Sequence, residues 1–160
     1  MDKGSYGRKD RLLKERRHDV YRNRSKLPQS SLCTECGVAF CGGRWTWEHP
    51  DNCQHETLCP ACRRVLEHMP AGEVMISGTF FTTHHNEIMN LIRNIERTEN
   101  VSHPLERIMQ VSDQFEHAMV TTTGMHLANG IGRALHSAYK GTVQVEYLDG
   151  ENYVKVCWAR

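Results

Sequence analysis

The sequence predicts an α+β protein: a small zinc ribbon built on two CxxC knuckles, then a ferredoxin-like βαββαββ domain, with a basic arm ahead of both. Three observations carry that expectation. Cys33-Thr-Glu-Cys36 and Cys59-Pro-Ala-Cys62 each place two thiols at i and i+3, with twenty-two residues between the pairs. Beyond Gly72 the apolar residues alternate between strand and helix spacing. Residues 1–28 carry ten Lys or Arg against four Asp or Glu, a local net of +6, while the remainder nets −5.

The arm spans residues 1–31. Its stretch from Arg8 to Arg17, with Lys9, Arg11, Lys14 and Arg16, has helix-forming composition, and Arg22 and Arg24 extend the positive charge. Leu13 and Val20 lie seven apart, too thin an apolar stripe to hold a helix alone. Pro28, Ser30 and Ser31 end the arm as a linker. Such a segment is either a solvated terminus or an arm that orders on a polyanion. In the second case Tyr6 and Tyr21 are available to stack on bases, and Arg44 adds a further phosphate contact.

Residues 32–70 form the metal-binding module. Each i, i+3 pair lets one tight turn present two sulfurs to one ion, and two turns close the tetrahedral shell of a structural zinc. Gly37 follows the first pair, where positive φ folds the backbone under the metal. The second pair runs into a short helix over residues 63–69, whose N-terminal dipole favours thiolates. A redox pair needs no twin CxxC, and disulfides need an exported protein. Between the knuckles, Cys41, His49, Cys53 and His55 are too irregularly spaced in too short a loop to hold a second ion. Trp45 and Trp47 alternate in a strand-like run here. They cover the module or pack it on the next domain, with stacking on bases as the second role.

Residues 71–160 read as strand, helix, two strands, helix and a hairpin. Val74 to Phe81 has strand composition. Ile88, Ile92 and Ile95, widened by Met89 and Leu91, recur at helical spacing until Asn100 to Pro104. Leu105, Met109 and Val111 lie on one side of an extended run, and Phe115 to Thr123 gives another. Gly124 opens a second helix with Leu127, Ile131, Ala134, Leu135 and Ala138 as its stripe, stopped by Gly141. Val143, Val145 and Tyr147 alternate, as do Val154, Val156 and Trp158, around Asp149-Gly150 as the turn. Two helices on one face of an antiparallel sheet in split βαβ order is the ferredoxin-like arrangement.

The same residues argue against several functions. No apolar run is long enough to span a bilayer and the first thirty residues are not a signal peptide, so a cytoplasmic location is expected. The outward sheet residues Gln144, Glu146, Lys155 and Cys157 are no aromatic platform for RNA. Arg133, His136 and Lys140, with His126 and Asn129, read as a solvent-facing helix side. His84-His85-Asn86-Glu87 is similar to the His-x-Glu of zinc deaminases, but it follows the cysteines instead of preceding them. His84 and His85 read more simply as cap-region residues. With no Walker loop and no Gly-x-Ser-x-Gly, neither catalysis nor a small-molecule substrate is expected.

Cys33-x-x-Cys36-Gly37, Gly43-Arg44-Trp45-x-Trp47, Cys59-Pro-Ala-Cys62-Arg63-Arg64, Pro70-Ala71-Gly72 and His103-Pro-Leu-Glu-Arg107 resemble short bacterial zinc-ribbon proteins. These are grouped by weak similarity with the nonsense-mediated-decay adaptors that bind the large ribosomal subunit. The resemblance implies that Cys33, Cys36, Cys59 and Cys62 hold one Zn2+, that the partner is ribosomal, and that no catalytic residue is carried over. Cys41 and Cys53 lie outside its pattern. The resulting expectation is a cytosolic, non-catalytic zinc protein on ribosomal or other structured RNA. The rivals are a protein–protein adaptor and a zinc enzyme using His84, His85 and Glu87.

Overall fold

The computed structural model describes residues 20–21, 27–28, 30–148 and 152–160. The arm residues Tyr6, Arg8, Lys9, Arg11, Lys14, Arg16, Arg17, Arg22 and Arg24, and the Asp149-Gly150 turn, lie outside the described residues. The protein is a mixed α+β structure with two sheets and four helices among the described residues.

Four three-residue strands form the smaller sheet: β1 (Ser31–Cys33), β2 (Ala39–Cys41), β3 (Arg44–Thr46) and β4 (His55–Thr57), in the order β3-β2-β1-β4. β1 and β4 run parallel, so the ends of both strands carry the chain toward the same corner. Strands this short supply few hydrogen bonds. The cysteine turns sit at that corner, and α1 (Pro60–Glu67) leaves it. Proline at its first position suits a helix start, where an N–H would lack a partner anyway. Left-handed His68 (φ 53°) stops the helix.

The larger sheet contains β5 (Gly72–Ser77), β6 (Ile108–Asp113), β7 (His117–Thr122), β8 (Thr142–Leu148) and β9 (Tyr153–Ala159), in the order β6-β7-β5-β9-β8. Its central strands alternate strictly, with Val74 and Ile76, Ala118 and Val120, and Val154, Val156 and Trp158 all buried. Over that face lie α3 (His85–Ser102), which buries Ile88, Met89 and Ile92, and α4 (Met125–Tyr139), which buries Leu127, Ala128, Ile131 and Leu135. Gln144, Glu146, Lys155 and Cys157 share the outer face, opposite the buried register positions.

The first half of this sheet follows the expected split order, with β7 between β5 and β6. The C-terminal hairpin does not. β9, not β8, lies beside β5, and it runs parallel to it, so the sheet is mixed instead of antiparallel. The apolar content of the two strands accounts for the choice. Val154, Val156 and Trp158 fill the position under α4, while Val145 and Tyr147 remain 46% and 56% exposed on the edge strand β8.

Three smaller expectations are also corrected. Strand β5 ends at Ser77, and Thr79-Phe80-Phe81 begins a short helix, α2 (Thr79–Thr83). Gly78 turns the chain there at φ 108°, where a side chain would meet the Arg160 carbonyl. Leu105 precedes β6 and packs against the cysteine cluster. On α4, Ala138 is exposed, and Ala128 and Gly132 complete the buried stripe instead.

Candidate metal centre

Cys33 is the last residue of β1, and Cys36 follows after two residues. Gly37, at φ 76°, lets the chain reverse so that its N–H reaches the Cys33 carbonyl at 2.9 Å and Cys33 N–H reaches Val38 at 2.8 Å. Cys59 is the N-cap of α1. Its sulfur accepts the Cys62 N–H at 3.3 Å, and the Cys33 sulfur accepts the Cys59 N–H at 3.3 Å. Backbone N–H groups aimed at sulfur favour the thiolate form.

The sulfurs of Cys33, Cys36, Cys59 and Cys62 all lie within 4.8 Å of one another. Cys36 and Cys59 sulfurs stand 3.8 Å apart. Two sulfurs each about 2.3 Å from a tetrahedral ion are separated by about 3.8 Å, whereas a disulfide brings them to about 2.05 Å. The spacing suits coordination. Burial pushes the Cys59 thiol well above its ordinary value and raises Cys62 to about 11. At Cys33 burial acts in the same upward sense, but N–H groups of Cys59, Cys36 and Glu35 outweigh it and bring the thiol down to about 7. A cation beside the sulfurs opposes that upward shift and favours the thiolate form at Cys59 and Cys62. Four sulfurs so arranged suit a soft divalent ion such as zinc.

One cation is already present in protein form. Arg107, just before β6, reaches across from the larger sheet and donates to the sulfurs of Cys36 at 3.1 Å and Cys62 at 3.4 Å. Burial works against its charge, but the sulfur of Cys36 and its neighbours raise its pKa on balance. Four thiolates around a divalent ion leave a net charge of about −2, and one guanidinium removes about half of it. The side chain is fixed by its Nε–H to the Pro104 carbonyl at 2.8 Å, and its backbone N–H by the Thr123 hydroxyl at 2.9 Å. Trp47 completes the contact: its indole N–H donates to the Asn100 carbonyl at 2.7 Å, and its ring lies 5.7 Å from the Arg107 guanidinium.

No family model, curated protein or solved structure matches the chain.

The other candidate residues fall in different places. Trp45 packs on Phe40 at 5.3 Å and against the cysteine cluster, so it covers the module. Arg44 is exposed on β3. Tyr21 does not offer its ring to a base. It is buried, with its hydroxyl donating to Glu67 at 2.6 Å and the Arg64 guanidinium 4.1 Å from its ring. Among the described residues only the four CxxC cysteines converge as a ligand group, and neither Cys41, His49, Cys53 and His55 nor His84, His85 and Glu87 gather into a second. His84 stacks on Phe80 at 3.9 Å, and His85 pairs with Asp113 at 2.8 Å. Among the described residues no helix is long and apolar enough to cross a membrane.

Sequence reasoning missed Arg107. A single arginine in a loop has no periodicity and no spacing rule, and its partners lie 45 and 71 residues away in the chain. Its place in the Pro-Leu-Glu-Arg segment was the only available signal.

Proposed function

We propose that this chain is a non-catalytic zinc protein of the cytoplasm that associates with ribosomal or other structured RNA. In this reading a zinc-ribbon-like head is made rigid by one ion, and the basic arm supplies salt-sensitive affinity for phosphates. The observation that carries the metal part is the cluster of four sulfurs, all from protein, which fills a tetrahedral shell and leaves no position for a reactive water. The RNA part is supported by the local net charge of +6 over residues 1–28 and by the resemblance of the paired CxxC segments to the ribosome-binding adaptors.

X-ray absorption at the zinc edge of the purified protein tests the first part. Four sulfur neighbours are expected. A mixed shell with nitrogen or oxygen would revive a zinc enzyme built on His84, His85 and Glu87. For the second part, Gln in place of Arg8, Lys9, Arg11, Lys14, Arg16 and Arg17 should flatten the dependence of RNA affinity on salt by about 0.7 per lost phosphate contact. An unchanged slope removes the arm from the reading.

A protein–protein adaptor is the second reading, favoured by the position of β8 at the edge of the larger sheet among the described residues, with Val145 and Tyr147 exposed on it. It requires a stoichiometric protein complex that survives nuclease and moderate salt.

A further inference from the structure

Helix α3 presents Arg93 and Arg97 one turn apart, both exposed. Neither has a hydrogen bond or ion pair among the described residues. Like charges at i and i+4 repel and weaken a helix, so the Arg93–Arg97 pair is not itself a stabilising contact of α3. Together with Glu96, Asn100 and Arg107 they line a concavity of about 350 Å3. Glu96 is its one acidic side chain, and its carboxylate is turned to the strand, accepting the Ile108 N–H at 2.7 Å. Arg107 closes one end with the guanidinium that also faces the sulfurs.

Trp47 stands beside this groove, held through its N–H to Asn100 and still 37% exposed. An indole fixed by its polar edge has lost its rotational freedom before a ligand arrives, which favours stacking of a planar base. The backbone positions of Arg93 and Arg97 are separated by about 6 Å along the helix axis, and two long side chains rooted there can each meet a different phosphate of one extended strand. Positive charge flanking an aromatic ring is the composition of single-strand binding surfaces.

We propose that this groove binds a single-stranded segment of RNA, with Arg93 and Arg97 on neighbouring phosphates and an unpaired base stacked on Trp47. The inference rests on the RNA reading above and gives it a second contact surface, on α3, that the arm does not provide. It also places that surface next to the metal centre, with Arg107 and Trp47 shared between them.

The test uses the full-length zinc-loaded chain and a labelled oligouridylate on the order of ten nucleotides long, titrated across salt. Arg93→Gln/Arg97→Gln should weaken binding about tenfold and reduce the slope of log affinity against log salt by about 1.4, two phosphates at about 0.7 each. Arg93→Gln alone should give about half that change in slope. The oligonucleotide should quench tryptophan fluorescence, and Trp47→Phe should abolish the quench; inorganic phosphate should produce none. Thermal melts and zinc content equal to wild type show that the variants are folded. If wild type binds and the double variant keeps the same affinity and slope, the groove is overturned and the RNA reading survives on the arm. A quench that persists in Trp47→Phe overturns the stacked base. Failure of the wild-type chain to bind the oligonucleotide while it still binds ribosomal RNA overturns the groove alone; failure to bind either overturns the RNA reading as well.

Discussion

Fifteen buried residues, from Val74 to Trp158, share one apolar cluster between the larger sheet and its helices. Among the described residues the cluster of the smaller sheet has five buried members, three of them cysteines beside Val38 and Ala61, with Trp45, Leu58 and Leu105 partly buried against it. At about 2 kcal/mol for a fully buried aliphatic side chain, the second set cannot hold strands of three residues together. A structural zinc contributes on the order of 10 kcal/mol. One region is therefore held by the solvent it excludes, and the other is built around a four-cysteine cluster that can hold a metal ion.

The largest expected effect follows from that contrast. Cys59→Ser, or a strong chelator, should abolish the order of the smaller sheet, a loss on the order of 10 kcal/mol. The larger sheet should keep a cooperative melt, because no cysteine enters its core. Elemental analysis and the amide spectrum of the variant check this. A metal-free variant that retains the ordered signals of residues 31–67 would mean that the small region is not metal-held.

The mirror experiment cuts the larger core. Trp158 is fully buried, donates its indole N–H to the Lys140 carbonyl at 2.7 Å, and meets Phe80 edge-on. Trp158→Ala should cost about 3–5 kcal/mol, lowering the melting midpoint while the folded fraction still holds one zinc. Denaturant unfolding followed in parallel with zinc content reads both. Loss of zinc at denaturant concentrations where the larger sheet is intact would instead make the smaller region the weaker one.

These two regions also differed in how readable they were. The four ligands were legible because coordination fixes residue type and spacing together, and Cys33, Cys36, Cys59 and Cys62 do converge. The helix after Cys59 and the stripes of α3 and α4 were legible through Ile88, Ile92, Leu127, Ile131 and Leu135, whose period needs no tertiary knowledge. Strand order was not. Both strands of the last hairpin alternate, and only competition for the space under α4 decides that β9 lies beside β5 and β8 takes the edge. Phe80 and Phe81 misled for a related reason: aromatic residues suit strands and helices alike once buried, and the turn at Gly78 decides between them. Long-range polar contacts, Arg107 to Cys36 above all, leave no local trace.

Arg107 is where the contrast is least sharp, since it is held on the larger sheet and spends its charge on the smaller. Arg107→Gln should lower zinc affinity about 10- to 100-fold, the usual cost of removing a group that supports metal ligands. Competition with a chromophoric chelator measures it. Arg107→Lys should recover only part, because an ammonium cannot span the sulfurs of Cys36 and Cys62 with a planar fork. Equal zinc affinity in all three proteins would reduce Arg107 to a packing contact and separate the two regions energetically.

The smallest effect belongs to a pair that owes nothing to the metal. His85 meets Asp113 at 2.8 Å between the start of α3 and the end of β6. The Asp113 hydrogen bond raises its pKa above the ordinary 6.5, with Asn86 and the Asp113 charge adding to it and slight burial and Arg93 opposing. Because the folded value is the higher one, the ion pair's stabilisation is fully present below pH 6.5 and is lost as pH rises through the folded midpoint. Both side chains are more than a third exposed, so solvent screening holds the contribution to about 0.5 kcal/mol. An NMR titration should find the His85 midpoint above 6.5, and Asp113→Asn should lower it while zinc content stays the same. A midpoint that does not move in Asp113→Asn would leave the pair as a contact without electrostatic consequence, and would make the sulfur–guanidinium cluster the stronger polar link to the larger sheet.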